Sequence, residues 1–196
     1  MKFLLSIFLF IATTATAQTA AWTQTQLDAA NTAKTIAYID TASRSAIMYL
    51  NLARLYPKQF AELEVKNYYG TKKYGNYVQN SPYRQSLIKY LNTMAPLPAL
   101  QFDKDLYNDA KCFAAEMGTA GRVSHERKTC KKYNYAECCS YGMETGRDIA
   151  LQWLIDHDVQ SLGHREICLD KAYTKIGVAT HYHAKWGMCS VAEIIW

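Results

Sequence analysis

The sequence predicts an α/β sandwich in which helices flank a short antiparallel sheet. Helix-spaced apolar stripes along the body of the chain and two β-prone runs close together near its end carry that prediction. No internal repeat, low-complexity tract or interdomain linker interrupts the pattern, so residues 18–196 are read as a single domain.

Met1 and Lys2 precede an apolar run from Phe3 to Ala12 and then small residues ending in Ala15-Thr16-Ala17. This is the pattern of a secretory signal peptide over residues 1–17, cleaved before Gln18. The apolar run falls short of the roughly 20 residues that span a bilayer, and no later stretch is long and apolar enough to serve. The first cysteine after the cleavage region is Cys112, which argues against a lipid anchor on a new N-terminal cysteine. The expected location is secreted or periplasmic, with no transmembrane segment.

From about Ala29 to Tyr56, the residues Ile36, Ile39, Ile47, Leu50 and Leu55 recur near helical spacing until Pro57 interrupts them, predicting an amphipathic helix. Lys66 to Tyr83 carries Tyr68, Tyr69, Tyr74, Tyr77 and Tyr83 among glycines, asparagines and Pro82, with Lys72 and Lys73 between them. It reads as a long ordered loop. Its rings could stack on sugars, but tyrosines that anchor a loop onto the body of the domain are the simpler reading. A second helix runs from Tyr83 through Leu87, Ile88 and Leu91 to the prolines at 96 and 98.

In the third helix Leu106, Ala110, Phe113, Ala114 and Met117 share one stripe, with Asp103 as N-cap. Cys112 lies on the opposite face, where it suits a bridge to a covering loop. A fourth helix fits Glu144 to His157. Lys175 to Thr180 and Met188 to Ile195 then form an antiparallel pair joined through His181 to Gly187.

Lys and Arg number 22 against 17 Asp and Glu, and loss of Lys2 with the leader leaves a formal charge of +4. So mild a balance excludes a nucleic-acid-binding role and allows a weak preference for anionic cell-envelope material. All six cysteines, at 112, 130, 138, 139, 168 and 189, lie in the second half. In an exported chain they suggest up to three disulfides, with the pairing open. A zinc site is the competitor, but there is no C-x-x-C pair.

The chemistry is concentrated between His125 and His164: GRVSH at 121–125, AECCSYG at 136–142, SLGHREICL at 161–169, and IGV at 176–178. In combination and order these resemble the CAP superfamily of cysteine-rich secretory, antigen 5 and pathogenesis-related 1 proteins, and its bacterial branch more closely. Leu50 to Phe60 looks like the opening helix of such domains, so the resemblance covers roughly residues 45–196. Two departures stand out. Ala136-Glu137-Cys138-Cys139 replaces the family's Gly-Glu-Asn-Ile, and Ile167-Cys168 replaces the Asn-Ile after Gly-His-Arg. Both introduce cysteine, which suggests disulfide reinforcement beside the cleft.

The resemblance implies an α-β-α sandwich whose cleft holds two histidines and two acids. By motif, His125 and His164 are the metal candidates, and Glu137 and Asp156 are the acids and hypothetical catalytic residues. The implied cofactor is a weakly bound zinc or other divalent cation. Neutral imidazole is a good zinc ligand, and a carboxylate can orient its other ring nitrogen; two protein ligands make an open site of modest affinity.

The ordinary alternatives are a structural role for each histidine and an Arg165 or Arg147 partner for Glu137. Arg165 is read as supporting the fold through a carboxylate, His157 as a helix C-terminal residue, and His181 and His183 as solvated loop residues.

Three functions fit. One is a binding module for a small-molecule, lipidic or peptide ligand. Another is a metal-assisted hydrolase with Glu137 as general base. The last is a domain whose outer surface contacts envelope partners. No H-E-x-x-H helix is present, and the even cysteine count argues against a free nucleophilic thiol at Cys138 or Cys139, so the binding module is preferred to the enzyme.

Overall fold

A 17-residue helix lying directly on a strand organises the molecule, in a computed structural model that describes residues 21–131 and 133–196. The signal-peptide prediction lies outside the described residues. The helix, α5 (Lys104–Ala120), starts where the Asp103 carboxylate accepts the amides of Asp105 and Leu106, and stops at Gly121 in the left-handed region. Its buried stripe is the predicted one: Leu106, Ala110, Phe113, Ala114 and Met117. The stripe approaches β3 (Lys175–His183) so closely that a Cβ on Gly177 would come within 2.0 Å of the Tyr107 amide nitrogen, and one on Gly118 equally close to the Tyr182 carbonyl.

The sheet is four-stranded in the order β1-β3-β4-β2, with β1 (Gln101–Phe102), β2 (Ala136–Tyr141) and β4 (Gly187–Ile195) joining β3. The β3–β4 pair is the predicted hairpin, and its strands run further than expected, leaving only residues 184–186 as the connection. The β2–β4 pair is also antiparallel, but β1 pairs parallel with β3, so the α/β class holds with a mixed sheet in place of an all-antiparallel one. The sequence reading left β2 unassigned.

On the other face, the predicted helix over residues 29–56 is two helices. α1 (Gln24–Ala30) opens with a Thr23 capping box, turns occupy residues 32–39, and α2 (Thr41–Leu55) begins where the Asp40 side chain accepts the Ser43 amide. After α3 (Pro57–Phe60), a π-helical turn over Ala61–Val65 leads into the tyrosine-rich loop. That loop is held as expected, with Tyr68 buried against the body. α4 (Pro82–Thr93) follows a Ser81 cap.

α6 (Gly146–Ile155) packs on α2, and α7 (Gly163–Leu169), unassigned from sequence, covers the outer side of β2. Among the described residues one disulfide is present, Cys112–Cys130, which ties α5 to the loop after it; Cys138, Cys139, Cys168 and Cys189 are buried thiols. The expectation of up to three bridges is met here by that one. No described helix is long and apolar enough to cross a membrane.

Candidate functional site

Two carboxylate–imidazole pairs are built by different elements and meet at one hollow. The first depends on β2, whose alternation puts Glu137 and Cys139 on one face and Cys138 on the other. His125 comes from the loop between α5 and β2, and its Nδ1 lies 2.6 Å from Glu137 Oε1. That loop is fastened to α5 twice, through Cys112–Cys130 and through Glu116. One turn from Cys112, the Glu116 carboxylate accepts the amides of Lys128, Thr129 and Cys130 and pairs with Arg122. Burial alone would raise its pKa, but these hydrogen bonds hold it down at about 2.

The second pair depends on the end of α6. Asp156 is left-handed, with φ of 54°, and turns its carboxylate onto the start of α7. Oδ2 accepts the amides of His164 and Arg165, while Oδ1 lies 2.7 Å from His164 Nδ1. Leu162, the residue at the N-cap of α7, makes no side-chain cap bond, so Asp156 caps that helix from a distance and orients its histidine in the same act. If each carboxylate accepts a proton from Nδ1, each imidazole keeps a lone pair on Nε2, the tautomer suited to metal binding.

The two imidazole centroids are 6.4 Å apart, with the planes inclined by 32°. Both rings line a hollow of about 360 Å³ with Tyr77, Ser124, Cys139, Tyr141, Gln152, Trp153 and Asp156. A neighbouring hollow of about 430 Å³ shares Tyr77, Val123, Tyr141 and Gln152 with it and adds Tyr74, Met143 and Trp186. The cleft thus has a polar end at the histidines and an aromatic end at Trp186. His125 is well exposed, its side chain 61% accessible, whereas Asp156 is buried.

Glu137 is joined on its inner side by a residue the sequence reading missed. Arg127, stacked 4.1 Å over the Phe113 ring, is 2.5 Å from Glu137 Oε2 and also pairs with Glu193 and Asp109. Glu193 sits opposite Glu137 in the β2–β4 register. Burial, and then the shared hydrogen bond with Glu137, push the Glu193 carboxyl well above the ordinary carboxylate range. Burial works in the same direction on Glu137, but hydrogen bonds from His125 and Glu193 and the Arg127 charge outweigh it and hold that carboxyl below its ordinary value.

Among the described residues, His125, Glu137 and Cys139 form a group whose ligand atoms all lie within 4.8 Å of one another, so it could hold a metal ion. Cys139 Sγ is 3.9 Å from His125 Nδ1 and 3.8 Å from Glu137 Oε1. These spacings suit ligands on one tetrahedral zinc, whereas the 2.6 Å hydrogen bond between Nδ1 and Oε1 would have to open by about half an ångström or more. Cys139 was read in the sequence as a disulfide candidate and weighed as a nucleophile, not singled out as a metal ligand beside His125. Its i+2 relation to Glu137 would have shown the shared face had β2 been recognised as a strand.

Several supporting residues differ from expectation. Arg165 reaches no carboxylate with its guanidinium, which donates to the carbonyls of Leu154, Ile155 and Tyr83 and to Ser86 Oγ. Arg147 pairs with Glu64. His157 lies past the end of α6, bonded to Ser81 Oγ and flanked by Tyr77 and Tyr83.

His181 and His183 belong to β3, and His183 is fully buried. Its Nδ1 accepts the amides of Lys185 and Trp186 and its Nε2 donates to the Arg122 carbonyl, so it shapes the hairpin turn. Cys138 and Cys139 are free thiols despite the even cysteine count, but burial pushes both far up, which disfavours a nucleophilic thiolate for a different reason.

The chain has a counterpart among known families. The profile of CAP, the cysteine-rich secretory protein family, matches residues 49–194, and the chain belongs to that family. No curated protein matches the chain.

Proposed function

We propose that this chain is an exported CAP-domain binding module of the bacterial type, formed by residues 18–196 as one domain. Its cleft takes up a divalent cation, zinc foremost, on His125 and His164, with Glu137 and Asp156 orienting the rings. The observation that carries this reading is the pair of imidazoles on one hollow, each with Nδ1 held by its own carboxylate. On one tetrahedral zinc, two such rings stand with centroids about 5 Å apart, so closure of roughly 1 Å from the observed separation is needed. The movement would fall to His125, whose side chain is the more exposed of the two, at 61% against 23% for His164. A two-histidine site leaves positions for ligand groups, so affinity is modest and the bound partner completes the shell.

The aromatic end beside this polar anchor favours an amphipathic ligand, a lipid or a peptide, with its polar group at the histidines and its apolar part toward Trp186. Export is supported by the leader sequence and by the Cys112–Cys130 bridge, which persists in oxidising surroundings. A hydrolase with Glu137 as general base is the weaker reading. Both carboxylate oxygens are already engaged and its pKa is held down, so it is a poor proton acceptor.

Zinc titration by calorimetry tests the proposal. Binding by the unmutated domain should disappear in both His125→Ala and His164→Ala. Binding that survives His164→Ala but is lost in Cys139→Ser would place the ion in the His125, Glu137 and Cys139 group instead. Metal-dependent turnover of a peptide, ester or cell-wall substrate, abolished by Glu137→Gln, would restore the hydrolase.

A further inference from the structure

Four thiols are buried around the sheet, and their surroundings separate them. Cys189 donates to the Ala114 carbonyl at 3.3 Å, and Cys139 faces His125 and Glu137. Cys138 projects from the opposite face of β2 toward α7, where its Sγ lies 3.9 Å from the His164 carbonyl. In the helix that carbonyl accepts the amide of Cys168, one turn on. Cys138 and Cys168 are both fully buried, on a strand and a helix that pack against each other, and the Cys168 thiol lies near enough to Cys138 to help push its pKa up.

We propose that Cys138 and Cys168 are oxidised to a second disulfide as the protein folds, pinning β2 to α7 directly behind the cleft. The bond would join the strand that carries Glu137 to the helix that carries His164, on the side away from the hollow. It does not depend on whether the cleft binds metal.

The oxidant is a disulfide donor of the kind found in oxidising compartments, either a small-molecule disulfide or a disulfide-carrying protein. One cysteine, as thiolate, attacks a donor sulfur, forming a mixed disulfide and releasing one donor thiolate. The second cysteine gives up its proton and attacks the mixed disulfide, the protein S–S bond forms, and the second donor thiolate leaves. Two protein thiols are oxidised and one donor disulfide is reduced. Because burial disfavours thiolates, this exchange belongs to folding, before α7 closes over β2.

The test is a thiol count. The full chain without its leader is refolded in oxidised and reduced glutathione, denatured without reductant, alkylated and weighed. Two modified cysteines are expected, Cys139 and Cys189, together with a linked peptide containing Cys138 and Cys168. The same refolding of the Cys139→Ser/Cys189→Ser double variant should leave no modified cysteine, which removes ambiguity between the adjacent residues 138 and 139. Four modified cysteines in the unmutated chain, or a bridge joining any other pair, overturns the proposal.

Discussion

Asp156 shows how much one side chain can carry. Its carboxylate holds two amides of α7 and the Nδ1 of His164 while its own backbone is left-handed. Asparagine tolerates that backbone but has one acceptor oxygen and no charge. Asp156→Asn should therefore fold, lose about 1–3 kcal/mol in denaturant unfolding, and bind zinc on the order of tenfold or more weakly by calorimetry. An unchanged zinc affinity would mean that the orientation of His164 does not matter.

At this scale the nearness of His125, His164, Glu137 and Asp156 to one another was legible, because short motifs mark the first three and Asp156 lies one turn after Trp153. Arg127 was not, since an arginine four residues after Val123 in an exposed-looking segment gives no sign that it will be buried among Asp109, Glu137 and Glu193. His183 was misread for a related reason. Burial of a histidine follows from strand length, and the strand was drawn too short at its end.

Elements position the two halves of the site, and the loop carrying His125 is the one whose anchoring can be probed by pH. The Glu116 carboxylate pairs with Arg122 and accepts three loop amides, with its pKa held down at about 2 against an ordinary 4.5. A carboxyl depressed in the folded state contributes stability above its unfolded pKa and loses it as pH falls through the folded one. Stability should thus decline between about pH 4.5 and 2, and the decline should be shallower in Glu116→Gln, which starts about 1–3 kcal/mol less stable at neutral pH. Denaturant midpoints across that range give the check.

The contact of α5 with β3 invites a harsher test. Gly177→Ala sets a methyl 2.0 Å from the Tyr107 nitrogen, and because the obstacle is backbone it should cost about 3 kcal/mol or more in unfolding free energy. Of the elements, α5 and the hairpin were readable from periodicity, since each buries one clean stripe or face. β2 was hidden by its cysteines and α7 by its shortness, seven residues being too few to show a helical period. The split between α1 and α2 was hidden because Ile36 and Ile39 continue an apolar rhythm through turns.

Across the whole molecule, the two layers are joined by a buried cation that meets no carboxylate. Arg54, on α2 and fully buried, donates to the carbonyls of Pro98, Cys168, Asp170 and Tyr173. It thereby ties α2 to the segment leading into β1 and to the end of α7, so its guanidinium spans parts of the chain that are far apart in sequence. The family-level fold was legible because its motifs lie in order along the chain, but this tie was not, since nothing local distinguishes Arg54 from an exposed helical arginine.

Lysine in its place offers three donors from one point and cannot reach carbonyls spread around a planar fork. Arg54→Lys should lose about 2–4 kcal/mol, and Arg54→Met more, because methionine leaves every one of those carbonyls buried without a donor. The loss should appear as a lower unfolding midpoint in both variants, with the greater shift in methionine. Because the end of α7 is among the tied segments, zinc affinity measured well below the melting range should also weaken in Arg54→Lys. A lysine variant with unaltered stability would show that these carbonyls find other donors and that the layers are held by apolar packing alone.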